Sequence, residues 1–360
     1  MKKKVGILTF HNTRNAGAAL QSYALEKILS NQDVTVKVIN YQNENINSRY
    51  AIKKLSEIKQ GKELIKYILS NKYVIKRQAL FSDFYNKHQN FSRVYTAENI
   101  QESNIEFDYF VTGSDQVWNF SHTNNDWNYV LDFVRDDKRK ASYAASLGII
   151  DFKSEDYLHW KKSLSSFTVL AIREQDGVKA VKELINTSEV NHVLDPTLLL
   201  DLNAWNSIIP SNKIIDEKYI LIYTMAESPE LFAKAENLSR KTGFKLIYLN
   251  ESWKKKAKVS NVREFGPIEF LHYFRDAEYI FTTSFHGVAF SINFNKEFYF
   301  DLNKEKYNFN SRIESLIDLL ELKNRNIAIY SSERIDWKSV NSLIEIERKS
   351  SLDVVKKIVD

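Results

Sequence analysis

The first residues that could do chemistry follow an apolar run in the second half of the chain. Residues 279–282 have the composition of a strand, and His286 and Gly287 then open a new apolar pattern with helical spacing. A helix start directly after a strand offers backbone N–H groups that bind anions. A bound anion would raise the pKa of the His286 imidazole and the helix terminus would lower it, which favours an acid or base near neutral pH. Thr283 and Ser284 add hydroxyls, whereas a histidine that only caps the helix is the structural alternative.

A second candidate loop follows the predicted strand Tyr109–Thr112. Asp115 could take a proton from a sugar hydroxyl, and Trp118 offers an apolar face of the kind that stacks on sugar rings. Ser114 and Gln116 place a hydroxyl and a carboxamide beside them. The structural alternative is that Ser114 or Asp115 caps the following turn.

A third loop follows a predicted strand at residues 5–10. Gly17 at the mouth of the next helix would let the backbone approach a ligand, and the first turn would form an anion site. The polar residues of this loop and helix start are His11, Arg14, Asn15 and Gln21. The alternative is an ordinary capped helix start. The loop lacks the G-x-G-x-x-G fingerprint, so a dinucleotide is not indicated.

A strong cation ends a further predicted strand, Thr168–Arg173. Arg173 could form a fork for phosphate or carboxylate, or it could pair with Glu174, and the sequence leaves both open. The five histidines other than His11 and His286 show no ligand spacing, so we predict no metal site.

The elements that must position these loops form two series of alternating strands and helices. This pattern predicts an α/β protein of two Rossmann-like domains that face each other across a cleft, with ligands at the carboxyl ends of the strands. We expect an N-terminal domain over 1–204, a C-terminal domain over 205–330 and a helical extension over 331–360.

The composition excludes several other classes of protein. The chain has 360 residues, no cysteine and a net charge of +5, so a disulfide scaffold, a thiolate metal site and a cysteine nucleophile are excluded. The apolar run at the N-terminus is too short for a secretory signal, and no run approaches about 18 apolar residues. We therefore expect a cytoplasmic protein without a nucleic-acid partner.

The charge is unevenly distributed. Residues 49–93 are predicted to form a basic helical insert in the first domain, with eleven Lys and Arg against three acids. Such a segment attracts phosphate-bearing ligands or an anionic membrane face, including the inner leaflet where lipid-linked sugars are assembled. A solvated helical face is the structural alternative.

Seven blocks in this order resemble the polysaccharide pyruvyl transferases. They are residues 15–21, 107–119, 142–148, 172–174, 193–198, 284–287 and 310–313. The resemblance implies transfer of a pyruvyl group from phosphoenolpyruvate to a sugar hydroxyl pair as a cyclic ketal, with release of phosphate. It also implies a glycosyltransferase-B-like fold, a role in cell-surface or exopolysaccharide synthesis, and no cofactor besides phosphoenolpyruvate as co-substrate.

The resemblance implies roles for the loops described above. His286 would be the catalytic acid and Asp115 the catalytic base. The donor-binding residues would be Arg173, Thr283, Ser284, Gly287 and Arg312. The acceptor, a sugar or lipid-linked oligosaccharide, would be bound by His11, Arg14, Asn15, Gly17, Gln21, Ser114, Gln116 and Trp118.

One position departs from part of the family. Some members carry an arginine two residues before the motif histidine, where this chain has Ser284, so Arg263, Arg275 or Arg312 could take over that contact. Two other functions remain open at this point. One is a glycosyltransferase that uses a nucleotide-activated sugar on the same fold, and the other is a non-enzymatic glycan- or partner-binding protein.

Overall fold

Two compact units make up the protein. The computed structural model describes residues 2–52, 61–148, 150, 152, 155–252, 255–302 and 310–359. Unit 1 consists of Met1–Arg49, Tyr85–Leu200 and Asn341–Asp360. Unit 2 consists of Tyr50–Phe84 and Asp201–Val340.

Unit 1 contains a parallel sheet whose strand order is β3-β2-β1-β4-β5. Its strands are β1 (Lys4–Leu8), β2 (Thr35–Tyr41), β3 (Phe91–Tyr95), β4 (Tyr109–Thr112) and β5 (Lys140–Ser142). The parallel pair β6 (Leu170–Ile172) and β7 (Val190–His192) continues beyond β5 through bridges at Ala141 and Ala145. This is the strand order of a doubly wound Rossmann sheet.

The helices of unit 1 connect these parallel strands. They are α1 (Ala16–Ser30), α2 (Glu44–Tyr50), α4 (Ser103–Glu106), α5 (Phe120–Thr123), α6 (Tyr157–Ser165), α7 (Gln175–Ile185) and α8 (Pro196–Leu199). Between α2 and α4 in the chain, α3 (Lys62–His88) belongs mainly to unit 2. Because parallel strands require crossover connections, most of these helices lie between consecutive strands of the sheet.

Unit 2 repeats the same winding. Its parallel sheet has the order β10-β9-β8-β11-β12, and β8 is buried along its whole length. The strands are β8 (Tyr219–Tyr223), β9 (Lys245–Leu249), β10 (Ser260–Val262), β11 (Tyr279–Thr282) and β12 (Glu297–Phe300). The helices are α9 (Leu202–Asn206), α10 (Pro229–Thr242), α11 (Pro267–Asp276), α12 (Phe285–Asn293), α13 (Ser311–Leu319) and the start of α14 (Trp337–Val359).

The core of unit 2 forms where α10 packs on the sheet. Ile220, Ile222 and Phe281 from the central strands pack with Leu231 and Phe232 of the helix. Ser228 caps α10 through its hydroxyl, which accepts from the Leu231 N–H at 3.1 Å. This cap fixes the first turn of α10 next to the end of β8.

The units differ from the predicted domain ranges in two places. Residues 50–84 of the basic insert group with unit 2, where Arg77 Nη2 pairs with Glu251 at 3.1 Å and Lys76 Nζ pairs with Glu264 at 2.8 Å. Residues 341–360 group with unit 1, because Arg348 Nε donates to the Leu198 carbonyl and Ser351 Oγ accepts from the Leu194 N–H. The change of unit near residue 201 lies close to the predicted boundary.

The basic segment uses several of its charges within the fold. Arg49 donates to the Ser121 carbonyl at 2.7 Å, and Arg93 pairs with Glu102. Lys53, Lys54 and Lys59 lie outside the described residues. In the part of the chain that the structure describes, no helix is long and apolar enough to cross a bilayer.

A buried carboxyl connects α1 to the start of β3. Glu26 Oε1 accepts from the backbone N–H of Asn90 at 3.1 Å and from its side-chain amide at 2.7 Å. Burial raises the pKa of Glu26 to about 7, although the two bonds from Asn90 oppose this shift. The native state therefore keeps this proton over a pH range in which the unfolded chain has released it.

We predict that this group makes the protein less stable as the pH rises through about 7. Between the unfolded pKa of about 4.3 and the native value, the native state binds more protons, so the free energy of unfolding falls with increasing pH. Urea unfolding at pH 5.5 and pH 8 measures this effect. Glu26→Gln, which keeps an acceptor for Asn90, should stabilise the protein at pH 8 relative to pH 5.5 by about 1–3 kcal/mol. An identical pH dependence in the variant and the wild type would contradict the assignment.

Candidate functional site

The candidate residues of unit 1 lie where the sheet changes its winding direction. β1 pairs with β2 on one side and β4 on the other, so the loops that follow β1 and β4 leave the sheet in opposite directions at its carboxyl edge. Such a switch point is where open α/β sheets bind ligands. The predicted loops 9–15 and 113–119 both begin here.

Thr9 connects these two loops. Its hydroxyl donates to the Ser114 carbonyl at 3.0 Å and accepts from the Gln21 amide at the same distance. Gln21 is fully buried and also donates to the Ala18 carbonyl at 2.9 Å, so it holds the loop against α1. The structure therefore corrects its predicted contact with an acceptor, because the side chain is enclosed in the fold.

The start of α1 is capped, as in the structural alternative given above. The Asn15 side chain caps the helix by accepting from the Ala18 N–H at 3.1 Å. Arg14 and Asn15 are half-buried and Gly17 is buried. Arg14 and Asn15 thus keep side-chain surface near the free end of the helix, where an anion or a hydroxyl would be stabilised.

His11 lies in the same loop and is almost fully buried. Its Nδ1 lies 3.1 Å from the Thr9 carbonyl and its Nε2 lies 3.3 Å from Asn40 Oδ1. Burial lowers the pKa of His11, against the effect of these two acceptors. The ring therefore favours the neutral form and adds no positive charge to the loop.

The loop after β4 has a backbone that a glycine must begin. Gly113 has φ +114°, and a Cβ atom at this position would lie 2.2 Å from the Tyr143 carbonyl oxygen. Asp115 also has a positive φ of 71°, and its carbonyl accepts from the Ser146 N–H at 2.9 Å. Loop 113–115 is thus pressed against the segment after β5, which holds Asp115 at the edge of the sheet.

A row of charged side chains leads from the core to Asp115. Arg173, directly after β6, donates from Nη1 to Asp195 Oδ2 at 2.6 Å, and its Nη2 lies 3.4 Å from Asp115 Oδ1. Ser114 Oγ donates to the same Asp195 oxygen at 3.0 Å. Only 14% of the Asp115 side chain is exposed, compared with 2% for Arg173 and none for Asp195. The structure thus brings the predicted residues Ser114, Asp115 and Arg173 together.

The charge of Arg173 is secure in this environment. Burial works to lower the pKa of Arg173, but the negative charges of Asp195, Asp115 and Glu174 raise it overall. One guanidinium thus serves several carboxylates, which is the pairing that buried charges require. The sequence left open a ligand fork or a pair with Glu174; in the structure the Arg173 guanidinium forms ion pairs with Asp195, which is nearer, and with Asp115, which is more exposed.

Trp118 and Gln116 face inward. The Trp118 indole is 2% exposed, its Nε1–H donates to the Tyr129 carbonyl at 3.1 Å, and its ring meets Phe167 edge to face. Gln116 Oε1 accepts from the Asn119 amide at 2.9 Å. These positions correct the prediction that Trp118 offers a face to a sugar ring, because the indole packs within the fold.

The candidate residues of unit 2 lie at the equivalent switch point, after β11. Thr282 Oγ1 accepts from the Ser284 N–H at 3.0 Å and so shapes the turn into α12. A Cβ atom on Gly287 would lie 2.1 Å from that same hydroxyl oxygen. Only glycine therefore allows the first turn of α12 to pack this closely on the end of β11.

Thr283 and His286 have different surroundings. The Thr283 hydroxyl accepts from the backbone N–H groups of Met225 and Ala226, at 2.9 and 3.1 Å, and so joins the loops after β8 and β11. His286 is 7% exposed, its Nε2 atom is buried, and its ring lies edge to face with Phe285. The predicted catalytic ring thus belongs to the first turn of α12 but presents little surface.

Any of three arginines could take over the contact of the arginine that is missing at position 284, and the structure places the three in different parts of unit 2. The Arg312 guanidinium, in the first turn of α13, lies 6.0 Å from the Phe285 ring centroid, next to the start of α12. Arg263 follows the edge strand β10 and lies over the Tyr73 ring at 5.0 Å. Arg275 ends α11 just before β11 begins and bonds Asp276 and the Pro210 carbonyl. Arg275 is therefore at the amino end of β11, away from Ser284.

The sequence matches one known family over most of its length. The model of the polysaccharide pyruvyl transferase family matches residues 15–300. The chain belongs to this family. The matched range includes every candidate residue discussed above except His11, Arg14 and Arg312. A comparison with curated proteins finds no significant match.

Solved structures resemble this family member in fold. A putative UDP-N-acetylglucosamine 2-epimerase from Listeria monocytogenes has a TM-score of 0.50 and 11% identity, over 100% of this chain and 91% of its own. An S. aureus MnaA–UDP structure gives 0.49 and 11%, over 99% and 91%. At such low identity the similarity concerns the fold alone. It confirms the predicted glycosyltransferase-B-like α/β class with parallel sheets in two domains.

Asp195 belongs to the family block 193–198, and the sequence alone predicted no function for it. The structure adds it to the candidate residues, because it pairs with Arg173 and Ser114 inside the fold. Asp195 caps α8, because its carboxylate accepts from the Thr197 N–H at 3.0 Å. Its second partner, Arg173, is 22 residues away in the chain and could not be predicted from local sequence.

Within the described residues, no group of three or more His, Asp or Glu side chains is arranged to hold a metal ion. In unit 1, the Arg173 guanidinium is a cationic partner of both Asp195 and Asp115. Asp115 and His286 are side chains that can transfer protons, and a helix start can bind an anion.

We predict that Gly113→Ala destabilises unit 1 by about 3 kcal/mol or more, because it combines backbone strain with overpacking. The matched control is Gly243→Ala, at φ +73° with open space around the new Cβ atom, which should cost only about 1 kcal/mol. Urea unfolding followed by circular dichroism measures both variants. Equal losses would show that contact with the Tyr143 carbonyl is unimportant.

Proposed function

We propose that the protein transfers a pyruvyl group from phosphoenolpyruvate to two hydroxyls of a sugar, forming a cyclic ketal and releasing phosphate. Membership of the polysaccharide pyruvyl transferase family carries this proposal. The positions of the family blocks at the two switch points support it, because this is where α/β sheets bind their ligands.

The chemistry begins with the donor. Phosphoenolpyruvate carries a carboxylate and a phosphate, which need backbone donors and cations. In the proposal these are the N–H groups at the start of α12, at Phe285–Gly287, and the guanidinium of Arg312. The close packing of Gly287 on Thr282 supports this arrangement, since it fixes the helix start at the end of β11.

Proton transfers then complete the reaction. His286 gives a proton to the methylene carbon of the enol, which becomes the methyl group, and the first sugar hydroxyl attacks the adjacent carbon. Asp115 takes the proton of that hydroxyl. The second hydroxyl attacks the same carbon, the carbon–oxygen bond to phosphate breaks, and phosphate leaves with the remaining proton. Each mole of donor thus yields one mole of ketal and one of phosphate.

The proposed acceptor is a neutral sugar, free or lipid-linked, held by unit 1. The accessible polar surface of Arg14, Asn15 and Asp115 supports this role, and so does the neutral form favoured by His11. The protein would act in the cytoplasm in cell-surface or exopolysaccharide synthesis. Contact with the inner membrane face through the basic segment is part of the proposal and rests on its charge alone.

The deciding experiment measures donor use. The purified protein is incubated with phosphoenolpyruvate and a panel of hexosides and N-acetylhexosaminides, and phosphate release and product mass are recorded. We expect phosphate release that depends on a sugar, with a product heavier by one pyruvate less one water. Consumption of a nucleotide sugar instead would support the glycosyltransferase alternative. Glycan binding without consumption of either donor would support a binding protein.

We predict that Arg312→Ala raises the Michaelis constant for phosphoenolpyruvate about 10- to 100-fold and changes the turnover number little, because it removes a charged contact to the bound donor. The matched control is Arg240→Ala, which removes an exposed positive charge from the far end of α10. Donor titrations of the initial rate measure both variants. Equal Michaelis constants for the two variants would exclude Arg312 from donor binding.

We predict that His286→Asn leaves the dissociation constant for phosphoenolpyruvate within about threefold, but lowers phosphate release by about 100-fold or more, as expected for loss of a general acid. Calorimetric titration and rate measurements separate the two effects. His272→Asn is the control, because His272 is another buried histidine of unit 2 and bonds the Asn212 carbonyl. Normal turnover by the His286 variant would remove this ring from the mechanism.

A further inference from the structure

We propose that Asp195 is a positioning residue for Asp115, acting through Arg173 and Ser114. The inference rests on the proposed role of Asp115 as the base that activates the acceptor hydroxyl. Asp195 lies in the family block 193–198, and no role was predicted for it from the sequence.

Asp195 is completely buried. None of its side chain is exposed, and its carboxylate accepts four hydrogen bonds. Oδ1 accepts from the Thr197 N–H at 3.0 Å and from the Thr197 hydroxyl at 2.7 Å. Oδ2 accepts from Arg173 and Ser114. The two oxygens therefore serve two separate purposes.

Capping α8 explains only one of these oxygens. Asp136 and Asp201 also cap helices through a single oxygen, and both are exposed to solvent. A cap alone does not require a carboxylate to leave water, which costs several kcal/mol unless the charge is paired. The second oxygen of Asp195, directed at Arg173, supplies the reason for its burial.

Asp195 is connected to Asp115 in two ways. Through the side chains, the guanidinium that Asp195 holds at 2.6 Å places its other nitrogen 3.4 Å from Asp115 Oδ1. Through the backbone, Asp195 fixes the hydroxyl of Ser114, the residue before Asp115, while Thr9 fixes the Ser114 carbonyl. Asp115 Oδ1 also accepts from the Gln116 N–H at 2.9 Å.

The exposure of the side chains changes in one direction along the row. Exposure rises from Asp195 through Arg173 to Asp115, so the fixed end is in the core and the end with solvent access is the proposed base. A carboxylate that takes a proton from a hydroxyl must be held in a narrow range of positions. In this arrangement Arg173 serves Asp115, and binding a donor anion would require the guanidinium to give up these contacts.

The test combines a double-mutant cycle with a structural measurement. Asp195→Asn keeps the size of the side chain but has only one acceptor oxygen. Because its NH2 group only donates, the variant can accept from Thr197 or from Arg173 and Ser114, but not from both sides. Initial rates of phosphate release are compared for the wild type, Asp195→Asn, Asp115→Asn and the double variant. We expect Asp195→Asn to lower the rate about 10- to 100-fold in the wild type and less than about threefold in the Asp115→Asn background, because interacting residues are non-additive.

Thr197→Val is the matched control, since it removes one capping bond from Asp195 and leaves the contacts to Arg173 and Ser114 in place. It should lower the rate less than about threefold. A loss equal to that of Asp195→Asn would mean that capping of α8 is the function of Asp195. The same fold-loss for Asp195→Asn in both backgrounds would likewise overturn the proposal.

The structural arm needs no acceptor. In a crystal structure of Asp195→Asn we expect the Arg173 guanidinium to turn from residue 195 and the Asp115 carboxylate to shift by about 1 Å, a displacement that matters for catalysis. An unchanged Asp115 carboxylate would overturn the proposal. If the wild type releases no phosphate with any sugar, the proposed function fails, and this crystallographic result still decides whether Asp195 positions Asp115.

Discussion

The winding of two parallel sheets is the constraint on which the rest of the structure depends. Because the strands of each sheet are parallel, they all end at its carboxyl edge, and each loop from a strand into the next helix begins there. At the centre of each sheet, between β1 and β4 and between β8 and β11, the winding direction reverses and leaves a crevice at that edge. Most candidate residues of both units, including Asp115 and His286, follow these central strands, so the topology decides where they lie in each unit.

Close packing at the switch points makes these loops precise. Gly113 lies against the Tyr143 carbonyl and Gly287 against the Thr282 hydroxyl, at distances that leave no room for a Cβ atom. In unit 1 a buried charge adds a second constraint, because Asp195 and Arg173 must stay paired inside the fold. Loop geometry and electrostatics thus act on the same residue, Asp115. Backbone bonds also hold the loop 113–119 to β1 and to the segment after β5.

Two side chains that were expected to touch a substrate bond other parts of the fold. Gln21 bonds the Thr9 hydroxyl and the Ala18 carbonyl, and Trp118 bonds the Tyr129 carbonyl. Such residues support a site by holding its loops in place. Their polar side chains and their position after a strand give them the same sequence signature as a binding residue. Only their burial distinguishes the two roles.

The sequence by itself determined the α/β class, the central strands and the family. Apolar runs such as 219–223 and 279–282 predict buried parallel strands directly, whereas the edge strands β3 and β10 are short and partly exposed and escaped prediction. Likewise, Ser284, His286 and Gly287 are recognisable because they are adjacent in the chain. The tertiary structure alone decided that Asp195 meets Arg173, that α3 residues up to Phe84 belong to unit 2, and that Trp118 is enclosed. These are contacts between residues distant in the chain, and local periodicity carries no information about which distant partners meet.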